Sequence, residues 1–202
     1  MGCAGERVWS GNTGDGCMIL KEGNYIILNR PEKKNAMNHA LVEAFLKALD
    51  EEELSPSNYI IIKGAGSTFC SGADLNEDLE QLFPQIKKLF LRIKSFPKPI
   101  ISYVEGYCLA GGMGLIAASD LVYAHPHAQF GLPEVKKDIV PAMVYGLLKS
   151  VLNPRHLNEL AFVGDFIDAK RAYEMGLINH VGDVPELIDT ETLRKIKALI
   201  LK

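Results

Sequence analysis

Two stretches constrain this chain most: NYIIIKGAG at residues 58–66 and KPIISYVEG at residues 98–106. In both, apolar residues fall on consecutive positions instead of alternating, and glycine closes the run. A strand wetted on one side alternates. A strand apolar throughout is covered on both faces, as in a parallel sheet lying between helices. The surrounding segments change period. NHALVEAFLKALDEEE (38–53) repeats like a helix, with Leu41, Phe45, Leu46 and Leu49 on one side and Asn38 placed as its N-cap. LEQLFPQIKKLFLRIKSF (79–96) is a second helix with Pro84 near its start. CMILKEGNYIILNRP (17–31) reads as a hairpin turning at Glu22, Gly23 and Asn24, and Pro31 ends it. STFCSGADLNED (67–78) reads as a loop. DLVYAHP (120–126), AQFG (128–131) and LINHVG (177–182) read as strands. AMVYGLLKSVL (142–152), RHLNELAFVG (155–164), DAKRAYEMG (168–176) and VPELIDTETLRKIKALILK (184–202) read as helices. Such alternation predicts an α/β fold with a mostly parallel sheet.

Bulk properties exclude several classes. The 202 residues suffice for one sizeable core, and the net charge of −3 argues against nucleic acid or an anionic membrane as partner. No apolar run reaches the length of about 18 residues needed to span a bilayer. MGCAGERVWSG at the start lacks the apolar centre of a secretory signal. Cys3, Cys17, Cys70 and Cys108 form neither C-x-x-C nor a zinc-type spacing, so they read as reduced thiols of a cytoplasmic protein.

The stretch GYCLAGGMGLIAASD (106–120) crowds small residues where a helix begins. Gly114 is one turn in, where glycine costs about 1 kcal/mol relative to alanine. Gly112, Gly114 and Ala117 match G-x-G-x-x-G/A, but seven residues, Glu105 to Gly111, separate Gly112 from the preceding strand, which disfavours a dinucleotide loop. A helix starting near Gly111 instead offers unpaired N–H groups and the positive end of its dipole. In FCSGAD, Gly72 permits an unusual turn that frees the Ala73 N–H. Taken singly, each glycine cluster reads better as a tight turn. Converging on one point, the two donors would make an oxyanion hole.

LNRPEKKNAMN, FCSGADL, VEGYCLAGGMGLIAASDLVYA, AQFGLPEVKKDIVPA and AYEMGLINHV occur in this order over roughly residues 17–182. Together they resemble the crotonase superfamily, the enoyl-CoA hydratase/isomerase family. The resemblance implies a crotonase-type spiral of β–β–α units, an acyl-CoA-binding core over residues 1–142, and a shortened helical C-terminal region over 143–202 of the same domain. It implies that the Ala73 and Gly111 amides hold a thioester oxygen as it becomes an enolate. Lys33, Gly72, Asp74, Leu75, Gly112 and Gly114 are implied as substrate-binding positions, with Asp74 holding its loop through backbone hydrogen bonds. Lys33 and Lys34 read either as contacts to the nucleotide phosphates of coenzyme A or as an ordinary solvated loop.

Hydratases of the family carry two glutamates. One matches Glu134. The other falls where this chain has Gly114. Isomerases that shift a 3-enoyl to a 2-enoyl double bond manage with the second alone, which takes a proton from C2 and returns it to C4. The expectation is therefore an isomerase with Glu134 as base and acid, and no cofactor beyond the coenzyme A carried by its substrate. A hydratase, another lyase such as a decarboxylase, or a catalytically silent acyl-CoA binder are the alternatives. Asp138, where relatives usually have glycine, is a lesser candidate near the pocket. His127 is read as surface. The family also implies a homotrimer or a hexamer.

Overall fold

The computed structural model describes residues 7–9, 17–187 and 190–202. Its first sheet contains β1 (Arg7–Trp9), β2 (Ile19–Glu22), β3 (Tyr25–Leu28), β4 (Ile60–Gly64), β6 (Ile100–Val104), β8 (Leu121–Ala124) and β11 (His180–Val181), in that spatial order. The two constraining runs, β4 and β6, are central parallel neighbours, with Ile60 opposite Ile100 and Ile61 opposite Ile101. Ile60, Ile61, Ile62, Ile100 and Ile101 are all buried, as consecutive apolar positions require. From β3 to β11 the sheet is parallel, while β1, β2 and β3 form an antiparallel edge.

A second sheet is built from shorter strands: β5 (Thr68–Cys70), β7 (Tyr107–Leu109), β9 (Gln129–Gly131) and β10 (Ile167–Asp168). β5, β7 and β9 run parallel, and β10 pairs antiparallel with β9. Each follows a strand of the first sheet after a sharp turn: β4 leads to β5, β6 to β7, β8 to β9. At the β6–β7 turn Gly106 has φ +67° and packs its Cα onto the Ser67 carbonyl, so no Cβ fits there. Helices α2 (Leu79–Lys94) and α3 (Gly111–Ala118) return the first two units. This is the expected succession of β–β–α units.

Helix α1 (His39–Leu54) packs beside α2, burying Leu41, Phe45 and Leu49 against the core. Asn38 caps it as its sequence position predicts, its side chain accepting from the Leu41 amide at 2.9 Å. The C-terminal helices are α4 (Ala142–Leu148), α5 (Pro154–Val163), α6 (Ala169–Glu174) and α7 (Glu191–Ile200). Residues beyond 142 are woven into both sheets through β10 and β11. The Nζ of Lys197, buried on α7, donates to Asp120 at 2.5 Å.

Several local readings are corrected. The segment 67–78 contains β5, and the small-residue stretch begins with β7. The hairpin turns on Gly23 and Asn24 alone, because Glu22 pairs with Tyr25. The start of the chain supplies β1. LINHVG is a strand only at His180–Val181, and the last helix starts at Glu191. Strands of two or three residues are too short to show a period of two. Cys70 and Cys108 are buried free thiols, whereas Cys3 lies outside the described residues.

Candidate active site

Ala73 follows β5 and lies beside Met37 in an isolated parallel bridge. The Met37 N–H donates to the Gly72 carbonyl at 2.8 Å, and the Asp74 N–H donates to the Met37 carbonyl at 2.8 Å. In such a bridge the middle residue turns its own N–H and C=O to the opposite side. The Ala73 N–H therefore points away from Met37's strand, and Gly72 reaches this geometry at φ +110°. Gly111 is the first residue of α3. Its N-cap, Ala110, supplies no side-chain cap and holds φ +51°, ψ −118°, a conformation normally left to glycine. Ala110's N–H is occupied by the Gly131 carbonyl at 3.0 Å. Among the described residues neither the Ala73 nor the Gly111 N–H donates to a protein acceptor.

The two amides sit against each other. A Cβ built on Gly111 would lie 3.4 Å from the Ala73 nitrogen, 3.2 Å from Gly72 Cα and 2.6 Å from the Met37 methyl. One built on Gly72 would lie 3.1 Å from the Gly111 nitrogen. Met37, fully buried, thus touches both halves: its backbone aligns Ala73, and its thioether packs under Gly111.

A polar clamp fixes the Ala73 side. Arg30 Nη1 donates to Asp74 Oδ2 at 2.6 Å and to the Ala36 carbonyl at 3.2 Å. Asp74 Oδ1 also accepts from the backbone and side-chain nitrogens of Asn76, at 3.1 and 2.9 Å. Burial raises the Asp74 carboxyl, but Arg30 and Asn76 outweigh it and hold it below the usual carboxylate range. Fully buried Asn35 accepts from the Arg30 N–H at 2.8 Å and donates to the Ala65 and Thr68 carbonyls at 3.0 and 2.6 Å. Asp74 holds its loop by backbone bonding, as expected, and by an ion pair in addition.

Glu134 enters from β9. Gly131, the last residue of that strand, pairs with Leu109 and accepts from Ala110, so the following 3-10 turn Pro133–Lys137 starts beside the head of α3. Glu134 Oε2 is buried and makes no hydrogen bond among the described residues. Burial lifts its carboxyl above the usual range, although a backbone hydrogen bond and Lys137 act in the other direction.

The glycines of the helix head have different tasks. Gly111 lets the head of α3 pack against Met37 and the Gly72–Ala73 backbone. Gly112 lies against the Cys70 carbonyl and 3.1 Å (as a Cβ) from Cys70 Cβ, so its smallness seats α3 on β5 rather than admitting a ligand. Gly114 faces the ring of Phe90: a Cβ there would approach Cζ and lie 2.6 Å from Cε2. Leu75, next to the Ala73 loop, is exposed, as are Lys33 and Lys34 in the loop before α1. Asp138 is exposed and caps its 3-10 turn at φ +55°, which accounts for a position suited to glycine. His127 is exposed, its ring 5.2 Å from that of His125. Arg30, Asn35, Met37 and Phe90 were not legible as site residues. No group of three His, Cys, Asp or Glu side chains suited to a metal occurs among the described residues.

Two adjacent N–H groups without protein acceptors could stabilise an oxygen that gains negative charge if they face the same point, and a buried carboxylate on the adjoining segment is suited to proton exchange. The enoyl-CoA hydratase/isomerase family model matches residues 23–200. Mevalonyl-coenzyme A hydratase of Aspergillus fumigatus is 37% identical over 194 residues, covering 88% of this chain and 70% of that protein. The mitochondrial Delta(3,5)-Delta(2,4)-dienoyl-CoA isomerase of Rattus norvegicus is 34% identical over 183 residues, 78% of this chain and 54% of that protein. The crystal structure of an enoyl-CoA hydratase/isomerase from Marinobacter aquaeolei superposes with a TM-score of 0.78 at 25% identity, covering 90% of this chain and 81% of that one. The chain thus spans between 54% and 70% of the length of these two curated relatives. With its two-sheet spiral and a family match over most of its length, the chain belongs to the enoyl-CoA hydratase/isomerase family, on the crotonase fold.

Proposed function

We propose that this chain is an enoyl-CoA isomerase that converts a 3-enoyl thioester to its 2-enoyl isomer. The observation that carries the reading is Glu134: a buried carboxylate oxygen without a hydrogen-bond partner, on the segment adjoining the amide pair. The Glu134 carboxylate takes a proton from C2. The C–H electron pair moves into the C1–C2 bond, and the thioester oxygen becomes an enolate held by the Ala73 and Gly111 N–H groups. The protonated Glu134 then delivers its proton to C4. The C3–C4 double bond shifts to C2–C3, the thioester carbonyl re-forms, and the carboxylate is restored. One group suffices because it receives what it later returns. The donors bind the enolate more strongly than the neutral thioester, so they lower the barrier rather than only fixing the ground state.

The named relatives include hydratases as well as an isomerase, so both activities belong in the test. Isomerisation of a 3-enoyl-CoA is followed by gain of the conjugated thioester absorbance, and hydration of a 2-enoyl-CoA by its loss. The expected result is isomerisation well above hydration, with Glu134→Gln lowering it by about 10²-fold or more. Hydration exceeding isomerisation in the wild type overturns the reading in favour of a hydratase. Saturable acyl-CoA binding with neither reaction overturns it in favour of a silent binder.

A further inference from the structure

Two amides and one carboxylate leave open whether water joins the reaction, and a wall of the site decides it. We propose that Phe90 is the specificity-determining residue: its ring closes the head of α3 to water and leaves proton transfer within the substrate as the outcome. The proposal rests on the isomerase reading above.

On a helix each Cα–Cβ bond leans toward the N-terminus, so a side chain covers the turn before its own residue. A side chain at position 114 would therefore lie over the turn that begins at Gly111. The ring of Phe90 is already there, meeting a Cβ on Gly114 at Cζ, at 2.6 Å from Cε2 and at 3.1 Å from Cε1. Phe90 comes from α2, on the buried stripe it shares with Ile86, Leu89 and Ile93, and only 1% of it is exposed. Met113 and Leu115, which flank Gly114 in α3, are buried and apolar.

A water held in place needs about two to four polar partners. Ring, thioether and aliphatic carbons supply none. Hydration of a 2-enoyl thioester requires the water oxygen to bond to C3 while a proton reaches C2 and another proton leaves the water. Glu134 would have to accept one proton, deliver the other and orient the water. Proton return from C2 to C4 also asks Glu134 to accept and deliver a proton, but it needs no water held over C3. The missing side chain at 114 and the ring that fills its place are two parts of one apolar wall.

The experiment compares wild type, Phe90→Ala, Phe90→Leu, Gly114→Glu and the Phe90→Ala/Gly114→Glu double variant. Each receives a 3-enoyl-CoA, and the ratio of 3-hydroxyacyl-CoA to 2-enoyl-CoA formed is measured by mass spectrometry at early times. The variants are compared at equal conversion of the 3-enoyl-CoA, where the ratio no longer depends on the fraction of folded protein, so reduced packing alone leaves it unmoved. The expected result is a ratio raised by about 10-fold or more in the double variant, the lower end of what a placed acid–base group contributes. A smaller rise is expected for Phe90→Ala, and a lesser one again for Phe90→Leu. Gly114→Glu alone, its carboxylate driven against the ring, keeps the wild-type ratio. The proposal is overturned if Gly114→Glu alone hydrates as well as the double variant, or if no variant moves the ratio. A wild type that isomerises no 3-enoyl-CoA overturns the underlying reading instead, and this proposal with it.

Discussion

Adding one methyl group at Gly111 tests the amide pair directly. A Cβ at this position lies 3.4 Å from the Ala73 nitrogen, 3.2 Å from Gly72 Cα and 2.6 Å from the Met37 methyl. An oxyanion must sit about 2.7–3.1 Å from its donors, and seating the methyl pushes the Gly72–Ala73 backbone away from Gly111, so the two donors no longer hold that distance together. Loss of one donor raises the barrier by about 2.7–4 kcal/mol, or about 10²–10³-fold in kcat. The clash with Met37 is separate. It strains a flexible side chain and adds an overpacking cost of about 1–3 kcal/mol to stability. The two effects part in Gly111→Ala/Met37→Leu, where the Met37 methyl is gone. Urea unfolding is expected to show stability partly regained, while turnover of a 3-enoyl-CoA stays at the Gly111→Ala level. Wild-type kcat in folded Gly111→Ala would refute the assignment of the amide pair.

Other expectations follow from the charged groups and the surface. Removing one partner of the nearly buried Arg30–Asp74 pair strands the other, so Asp74→Ala is expected to lose about 3–5 kcal/mol in urea unfolding at neutral pH. Because Asp74 is held below its ordinary value, its contribution is present above the unfolded pKa of about 3.9 and fades as pH falls through the lower folded value, closing the gap between variant and wild type. Glu134 shifts the opposite way: its stability contribution is full below the unfolded pKa of about 4.3 and is lost as pH rises through the raised folded value. Glu134→Gln should therefore melt higher than wild type at neutral pH but not at pH about 4, and wild-type kcat/KM should climb through that same raised value, since the base acts ionised. Phe162, Val163, Phe166 and Tyr173 are exposed on the C-terminal region, and we expect self-association to bury them; a clean monomer in sedimentation at micromolar concentration refutes this.

The legible parts of this fold were those written locally. Consecutive isoleucines in β4 and β6 announce a doubly covered sheet, Asn38 announces a helix start, and small residues near Gly111 announce the head of α3. Glycine signals that a Cβ is unwelcome without naming the neighbour that excludes it. Gly112 yields to Cys70, and Gly114 to Phe90 on a different helix. Those neighbours are contacts between separate units, set by packing and silent in any local period. Asn35 was hidden likewise, since a buried asparagine joining Arg30, Ala65 and Thr68 looks like any loop residue until the three segments meet. Of the second sheet only β9 is legible, in AQFG, because β5, β7 and β10 are two or three residues long and lie within segments that read as loop or helix.

Neither candidate donor belongs to a side chain. Ala73 and Gly111 present main-chain N–H groups, brought together by the pairing of β5 with β7. Substitution can crowd such groups, but short of proline it cannot delete them. Carboxylates and rings around the pair are, by contrast, each one codon from change. The architecture thus separates a part of the proposed chemistry that is tied to strand register from a part that single substitutions can replace, so variants at the carboxylate or the ring can change the reaction without moving the proposed seat of the enolate.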